Sequence, residues 1–314
     1  MDSRGRYNVY IYGAGNEYNK LSSYLPVYEN QLNVLGIITT KKQYFSILDG
    51  YSCYTLAEVD VSDADYIIIA VGKWREIADL LYAEKGIGDD RIIRSNAFFY
   101  PGFLLKDYLE LKKQNVTILS NYCLGGHIYR ELGLKMVSPT INMFCAGKDY
   151  LEFLKNYEYY LKMDMKELVE EKYIDGTMGR EHFVPKGIIG DRIVWKLNHD
   201  HTAKEAINRW NMRRRRVNFD NVVALMTIQS DGDAYEFEAL PINRKLGIYY
   251  KDLQLEHIIY CPEWRDSHIQ QQYNWSWPSF ANTLFRNSMG YVGKINWLKY
   301  LLGEERDYMR FLSE

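Results

Sequence analysis

Nowhere does the 314-residue sequence hold the roughly 20 consecutive apolar residues that cross a bilayer, so no transmembrane segment is expected. The opening stretch, MDSRGRYNVYIYGAG, lacks the long apolar core and cleavage site of a signal peptide. Cysteine is sparse: Cys53, Cys123, Cys145 and Cys261 stand far apart, with no CxxC and no metal-ligand spacing. That argues against a disulfide framework and against a metal site, and reduced thiols in a cytoplasmic protein are the simplest reading. An excess of one charge is also missing. Lys and Arg total 39 against 41 Asp and Glu, a net charge of -2, so nothing drives the whole chain toward nucleic acid or an anionic membrane. A local basic patch and peripheral membrane association stay open. No GxSxG occurs, which removes support for serine-hydrolase chemistry. Internal repeats and low-complexity segments are absent too.

What is present reads as ordinary globular protein, 47% hydrophobic and 25% charged. The length exceeds what one core usually organises, so two domains are expected. The one compositional excess is aromatic, 28 tyrosines and 7 tryptophans. Such faces stack on sugar rings and bases but also fill cores, and core filling is the simpler account.

Strands and helices alternate along the chain. A strand from Val9 to Tyr12, a glycine turn and a helix stopped before Pro26 come first. LNVLGIITT follows as a strand, then a strand from Tyr66 to Val71 and a helix that closes at Gly86, a natural left-handed end position. RIIRS is a short strand, and PGFLLKDYLELKKQN is a linking helix with Pro101 near its first turn. The alternation restarts at Val116 with VTILSN, and KDYLEFLKNYEYYLKM reads as one helix. VPKGIIGDRIVWKLNH is strand-rich, and TAKEAINRWNMRRRRV is helical with Thr202 and Glu205 spaced as a capping box. NVVALMTIQSDGD is a strand ending in a turn, RKLGIYY and LEHIIYC are strands, and KINWLKYLLGEERDYMRFL is a final helix. The expected fold class is α/β, two Rossmann-like domains with mostly parallel sheets, divided as residues 1–114 and 115–314.

Two glycine turns are candidate ligand sites. Gly13 and Gly15 follow the first strand and precede a helix, the context of a dinucleotide fingerprint. The first glycine permits a tight turn, and the second lets the backbone approach a pyrophosphate. Tyr18 replaces the third glycine of that pattern. The second strand ends in ITTKK, where a ribose-binding carboxylate is needed; Thr39 and Thr40 do not supply it, and Lys41 and Lys42 suit phosphate better. NAD as a redox cofactor is therefore disfavoured. A nucleotide or nucleotide-sugar site and a turn without a ligand both stay open. Over about the first 100 residues the chain resembles Rossmann-type modules that accompany sugar-modifying transferases.

The second turn is TILSNYCLGGHIYRELGL, residues 117–134. Gly125 and Gly126, with a helix beginning near His127, would leave backbone amides for a phosphate at the carboxyl end of a strand. The alternative is a turn that needs positive φ. Cys123 reads as a small buried residue rather than a nucleophile. Ser138, Thr140 and Asn142 in SPTIN could line a pocket or form a turn. In NHDHT, His199 is a candidate general acid or base; a metal shared with His201 lacks further ligands. Arg213 to Arg216 at a helix end complement the macrodipole, or reach a diphosphate in bidentate fashion. Asp191 and Asp231 sit at turn-like positions, where either could coordinate a sugar hydroxyl or a metal-bound diphosphate, or serve only the turn. The segment holding Trp264, Trp275 and Trp277 is either a sugar-stacking loop or a packed edge.

The run SNYCLGGHIYRELGLKMVSPTINMF, followed by DYLEFLKNYEYYL and NHDHTAKEAINRWNMRRRRVNFDNVVALMT, resembles the bacterial family known as domain of unknown function nineteen-nineteen. Its members are often described as exopolysaccharide-biosynthesis or acetyltransferase-like proteins. The likeness covers about residues 115 to 265. It places the family's recurring positions on Asn121, Cys123, Gly125, Gly126, His127, Tyr129, Ser138, Pro139, Thr140, Asn142, Asp191, His199, Trp210, Arg213, Arg216, Asn218 and Asn221. What the resemblance implies is a transferase of cell-surface polysaccharide assembly, taking a glycosyl or acyl group from a nucleotide sugar or acyl-coenzyme A to a saccharide acceptor. Asn121, Gly125, Gly126, His127, Ser138, Thr140, Asn142, Arg213 and Arg216 would hold the donor, and His199 or Asp191 would act as base. A non-enzymatic nucleotide-sugar-binding or regulatory protein is the rival expectation, and an oxidoreductase ranks third.

Overall fold

Apolar strands joined by glycine turns and amphipathic helices build the first hundred residues. The computed structural model describes residues 1–100, 103–168, 174–175, 182–197, 202–261 and 295–304. The chain parts into one unit of Met1–Lys113 with Glu131–Lys135, and another of Gln114–Arg130 with Met136–Glu314. The fold is mixed α/β with mostly parallel sheets, as the alternation implied.

In the first unit the elements run β1 (Tyr7–Tyr12), α1 (Asn16–Ser22), β2 (Leu32–Thr39), β3 (Ile47–Leu48), β4 (Tyr51–Thr55), β5 (Tyr66–Ile69), α2 (Trp74–Lys85), β6 (Ile92–Arg94) and α3 (Leu105–Gln114). The sheet order is β3-β4-β2-β1-β5-β6, parallel except for the β3–β4 pair. Val9, Ile11, Ile37, Ile38, Ile67 and Ile68 are fully buried, as expected of parallel strands covered on both faces. α2 ends on Gly86 at φ +66°, whose N–H caps the Tyr82 carbonyl; only glycine adopts that backbone without strain. β3 and β4 carry no clear apolar alternation, and the sequence did not reveal them. Pro101 lies outside the described residues.

The second unit opens with β7 (Thr117–Ser120) and α4 (Leu124–Glu131), then β8 (Phe144–Cys145), α5 (Gly147–Lys155), α6 (Tyr157–Tyr160), β9 (Lys166–Leu168), β10 (Ile174–Asp175), β11 (His182–Phe183), β12 (Lys186–Ile189) and β13 (Ile193–Lys196). It continues with α7 (Ala203–Arg214), β14 (Val222–Thr227), α8 (Asp231–Glu238), β15 (Lys245–Tyr249), β16 (Ile258–Tyr260) and α9 (Trp297–Leu302). A parallel sheet has the order β16-β15-β14-β7. Between β7 and β14 the chain makes a second, antiparallel sheet, β8-β13-β12-β9, which the strand-rich stretch announced without showing its pairing.

Three local expectations change. The predicted single helix over 148–163 breaks at Asn156, whose φ of -137° is not helical, giving α5 and α6. The helix expected near His127 starts at Leu124, because His127 N–H already donates to Cys123 O at 3.0 Å. The supposed turn SDGD is the start of α8, where the Ser230 hydroxyl accepts from Asp233 N–H. The Thr202 cap forms as expected, accepting from Glu205 N–H at 3.2 Å.

Among the described residues of this unit, the largest aromatic side chains go inward. Trp195 packs against Trp210 at 5.6 Å and against Phe153 at 5.4 Å between ring centroids, and both tryptophans are fully buried. They hold α5 and α7 to the antiparallel sheet, a core role rather than a sugar platform. Trp264, Trp275 and Trp277 lie outside the described residues, as do residues 305–314 of the predicted last helix.

Candidate functional site

In an open α/β sheet, ligands settle beyond the carboxyl ends of the strands. In the second unit that end is assembled by buried polar side chains. Asn121, just past β7, is fully buried. Its Oδ1 accepts from Thr227 N–H at 2.9 Å and from Thr227 Oγ1 at 3.1 Å, and its Nδ2 donates to Thr227 O at 3.1 Å. The side-chain amide thus imitates a backbone and prolongs the β7–β14 ladder beyond Ser120. Asn121 O also accepts from Cys145 N–H at 3.0 Å, which fastens β8 to the same point.

Ser138 and Thr140 peg a returning loop onto this junction. Ser120 N–H donates to Thr140 Oγ1 at 3.0 Å, and the Ser138 and Thr140 hydroxyls lie 3.1 Å apart. Both are fully buried, and their hydroxyls find partners in the loop and on β7. Asn142, at φ +59°, sits where that loop crosses α4.

The glycine pair answers to this loop. Gly125 and Gly126 are buried in the first turn of α4, and neither has a positive φ. A Cβ on Gly125 would stand 3.2 Å from Ser120 Cβ and 3.3 Å from Ile118 Cγ2; one on Gly126 would run into Asn142 Oδ1. Close packing on β7 and on the loop is therefore what excludes a side chain, not backbone strain. The amides of Leu124, Gly125 and Gly126 still precede the first intrahelical bond, which leaves them the donors of a helix N-terminus.

Arg213, at the end of α7, reaches the same loop: its Nη1 donates to Ile141 O at 3.5 Å. The neighbouring arginines diverge. Arg214 donates to Lys162 O at 2.9 Å and pairs with Asp164, while Arg215 and Arg216 are exposed. His127 Nδ1 takes a hydrogen bond from Arg130 Nη2 at 2.7 Å, one turn along α4. Gly126, Asn142 and Arg213 are thereby collected from three distant parts of the sequence, with Asn121, Gly125, Ser138 and Thr140 supporting them.

Asp191 belongs elsewhere. It forms the β12–β13 hairpin turn with Gly190, both at positive φ, and its side chain is 83% exposed with Lys166 Nζ 3.6 Å away. Such a turn favours Asp or Gly on conformational grounds alone. His199 and His201 lie outside the described residues. Burial pushes the Cys123 thiol up to about 12, so it stays protonated at neutral pH and is a poor nucleophile.

The sequence did not single out Tyr249 and Lys251. Tyr249 OH donates to Asp231 Oδ1 at 2.6 Å, and Lys251 Nζ lies 2.8 and 2.9 Å from the two carboxylate oxygens. The Lys251 ammonium and the Tyr249 hydroxyl hold the Asp231 carboxyl below the usual carboxylate range. This trio stands at the carboxyl ends of β14 and β15. Only the register of these two strands reveals it.

Other positions that the resemblance singled out secure the amino end of the sheet. Tyr129 is fully buried, donates to Val116 O at 2.7 Å and accepts from Ile118 N–H at 2.9 Å. Asn218 N–H donates to Thr117 Oγ1 at 2.9 Å, and Asn221 O accepts from Thr117 N–H at 2.9 Å. Tyr129→Phe is expected to lower stability by about 1–2 kcal/mol in urea unfolding, because two buried backbone groups lose their partner. An unchanged midpoint would remove Tyr129 from that structural role.

In the first unit, Gly13 has φ +117°, and a Cβ there would stand 2.6 Å from Ala70 O, so the turn itself demands glycine. Gly15 ends the turn with open space where a side chain would be. Thr39 Oγ1 donates to Lys41 O at 2.9 Å, and Thr40 Oγ1 lies 2.9 Å from Tyr12 OH. A cavity of about 530 Å³ in this unit is lined by Arg6, Tyr18, Asp49 and Tyr51 among others, and none of the predicted site residues lines it.

Residues 5–93 match a family described as C2185-like, N-terminal. An uncharacterised protein of Haemophilus influenzae is 27% identical over 145 residues, 45% of this chain, and the match takes in 65% of that relative's length. Among solved structures, aspartate semialdehyde dehydrogenase II of Vibrio cholerae, complexed with ASA, is 11% identical, over 79% of this chain and 81% of that one. Its TM-score is 0.26, too low to bear on fold or function. Residues 94–299 match DUF1919, a domain of unknown function, and since that is more than half of the sequence, the chain belongs to the DUF1919 family.

Proposed function

We propose that the chain is a transferase of cell-surface polysaccharide assembly that takes a glycosyl or acyl group from a phosphate-bearing donor, a nucleotide sugar or acyl-coenzyme A. One observation carries this reading. The first turn of α4, the loop through Asn142 and the guanidinium of Arg213 converge beyond the carboxyl end of β7. Backbone donors at a helix N-terminus and a bidentate cation are the two elements that hold a phosphate. Asp231, kept ionised by Lys251, is the carboxylate at the same end of the sheet and is suited to orienting an acceptor hydroxyl. His199 remains the proposed base. Asp191 on its exposed hairpin turn fits that part less well.

The test is calorimetric titration of the full chain with UDP-sugars and acyl-coenzyme A. Arg213→Ala should weaken the bound donor about tenfold or more, the loss of a hydrogen bond to a charged group. The effect should shrink as salt rises. If no donor of either class binds, or if Arg213→Ala binds like wild type, the reading fails. Binding without turnover in the presence of saccharide acceptors would favour a nucleotide-sugar-binding protein instead.

A further inference from the structure

We propose that Glu238, Glu256 and His257 form a binding site for a borderline divalent cation of the zinc or manganese type, at the amino end of the second unit's parallel sheet. Glu238 is the last residue of α8, and Glu256 and His257 make the turn directly before β16. Each offers one ligand atom, and the three atoms lie within 4.8 Å of one another. Metal bonds of about 2.0–2.2 Å place neighbouring ligand atoms close to 3 Å apart. His257 Nδ1 and Glu238 Oε1, at 2.7 Å, are already near that spacing. Glu256 is exposed, and its carboxylate lies within the same 4.8 Å of both other ligand atoms.

The surroundings fix the ligands. Glu238 Oε2 accepts from the backbone N–H of His257 at 3.1 Å, which aims Oε1 at the imidazole. His257 O accepts from Gly247 N–H at 2.7 Å, so the backbone carrying the imidazole is tied to β15. Outer contacts of this kind orient metal ligands. A plain Glu–His pair needs only two of the three groups. The second carboxylate adds like-charge repulsion, which a cation between the two relieves. Lys245 interacts with both carboxylates, but its ammonium is anchored on the Glu238 and Leu240 carbonyls. It offsets one negative charge and leaves the other, which points to moderate affinity. One imidazole and two carboxylates suit zinc or manganese better than thiophilic ions or calcium.

This site stands at the opposite end of the sheet from Arg213 and Asp231, and its role is to clamp the end of α8 to β16. The metal-free full chain should be titrated with Co²⁺ as spectroscopic probe, then with Zn²⁺ in competition. One equivalent per chain should bind with visible ligand-field bands and without a thiolate-to-cobalt charge-transfer band. Glu256→Gln should bind about tenfold or more weaker, while its metal-free melting temperature should be no lower than that of wild type, since Glu256 is exposed and one like charge is removed. His257→Gln should lose the bands. The absence of a saturable equivalent, a thiolate band, or Glu256→Gln binding like wild type would each overturn the site.

Discussion

Asn121→Ala is expected to lower the stability of the second unit by roughly 3–4 kcal/mol in urea unfolding, the larger of the two biggest effects foreseen. The side chain satisfies three groups of Thr227, its N–H, its carbonyl and its hydroxyl, all in fully buried surroundings. Truncation to a methyl strands all three. Each buried orphan costs about 1–3 kcal/mol, less whatever a water recovers. Asn121→Asp is a stringent companion. It keeps an oxygen for the Thr227 N–H but cannot donate to the Thr227 carbonyl, and it places a carboxylate where no solvent reaches. It should therefore destabilise as much as alanine does. A loss below about 1 kcal/mol for both variants would show that the β7–β14 ladder does not depend on this amide.

That expectation changes the meaning of recurrence in the family motif. Asn121, Ser138 and Thr140 read in the sequence as polar residues that hold a donor. In the fold their side chains hydrogen-bond within the protein at the carboxyl end of β7, as the buried Tyr129 hydroxyl does at its amino end. Polar side chains that replace backbone pairing are as constrained as a binding site, because any substitution leaves a buried donor or acceptor unpaired. A single sequence does not separate these cases, since the partner, Thr227, lies 106 positions away from Asn121.

Local features were more legible. The parallel strands announced themselves through continuous apolar runs, Gly86 through its place after an amphipathic helix, and the Thr202 cap through its spacing to Glu205. Each is decided within a few residues. β4 has no such signal, because it alternates Tyr, Ser, Cys, Tyr and Thr without an apolar face. The Asp231–Tyr249–Lys251 trio depends on the register of β14 against β15, which the pairing of Ala224 with Lys245 establishes. The glycine pair was legible as a special place but not as to why. Its reason, the Asn142 side chain lying on Gly126, is a contact between α4 and the loop that follows it, 16 positions along the sequence.

Gly126→Ala tests that reason and the proposed donor site together. The new methyl runs into Asn142 Oδ1 and stands 3.1 Å from Ile141 Cγ2, so the Asn142 and Ile141 side chains must give way. Forcing a methyl into such a contact costs about 1–3 kcal/mol, and the melting temperature should fall accordingly. Asn142→Gly supplies the compensation. It removes the obstructing side chain, and glycine accepts the φ of +59° found there. The double variant should therefore recover most of the lost stability, to within about 1 kcal/mol of Asn142→Gly alone, as coupled neighbours do. Donor affinity then separates two roles for the same glycine. If the first-turn amides of α4 hold a phosphate, the methyl still blocks its approach, and the double variant melts normally yet binds the donor about tenfold more weakly. If the glycine serves only the loop, relieving the collision restores affinity along with stability. A double variant that fails to recover stability would mean that the loop over Asn142 is not what requires glycine at position 126.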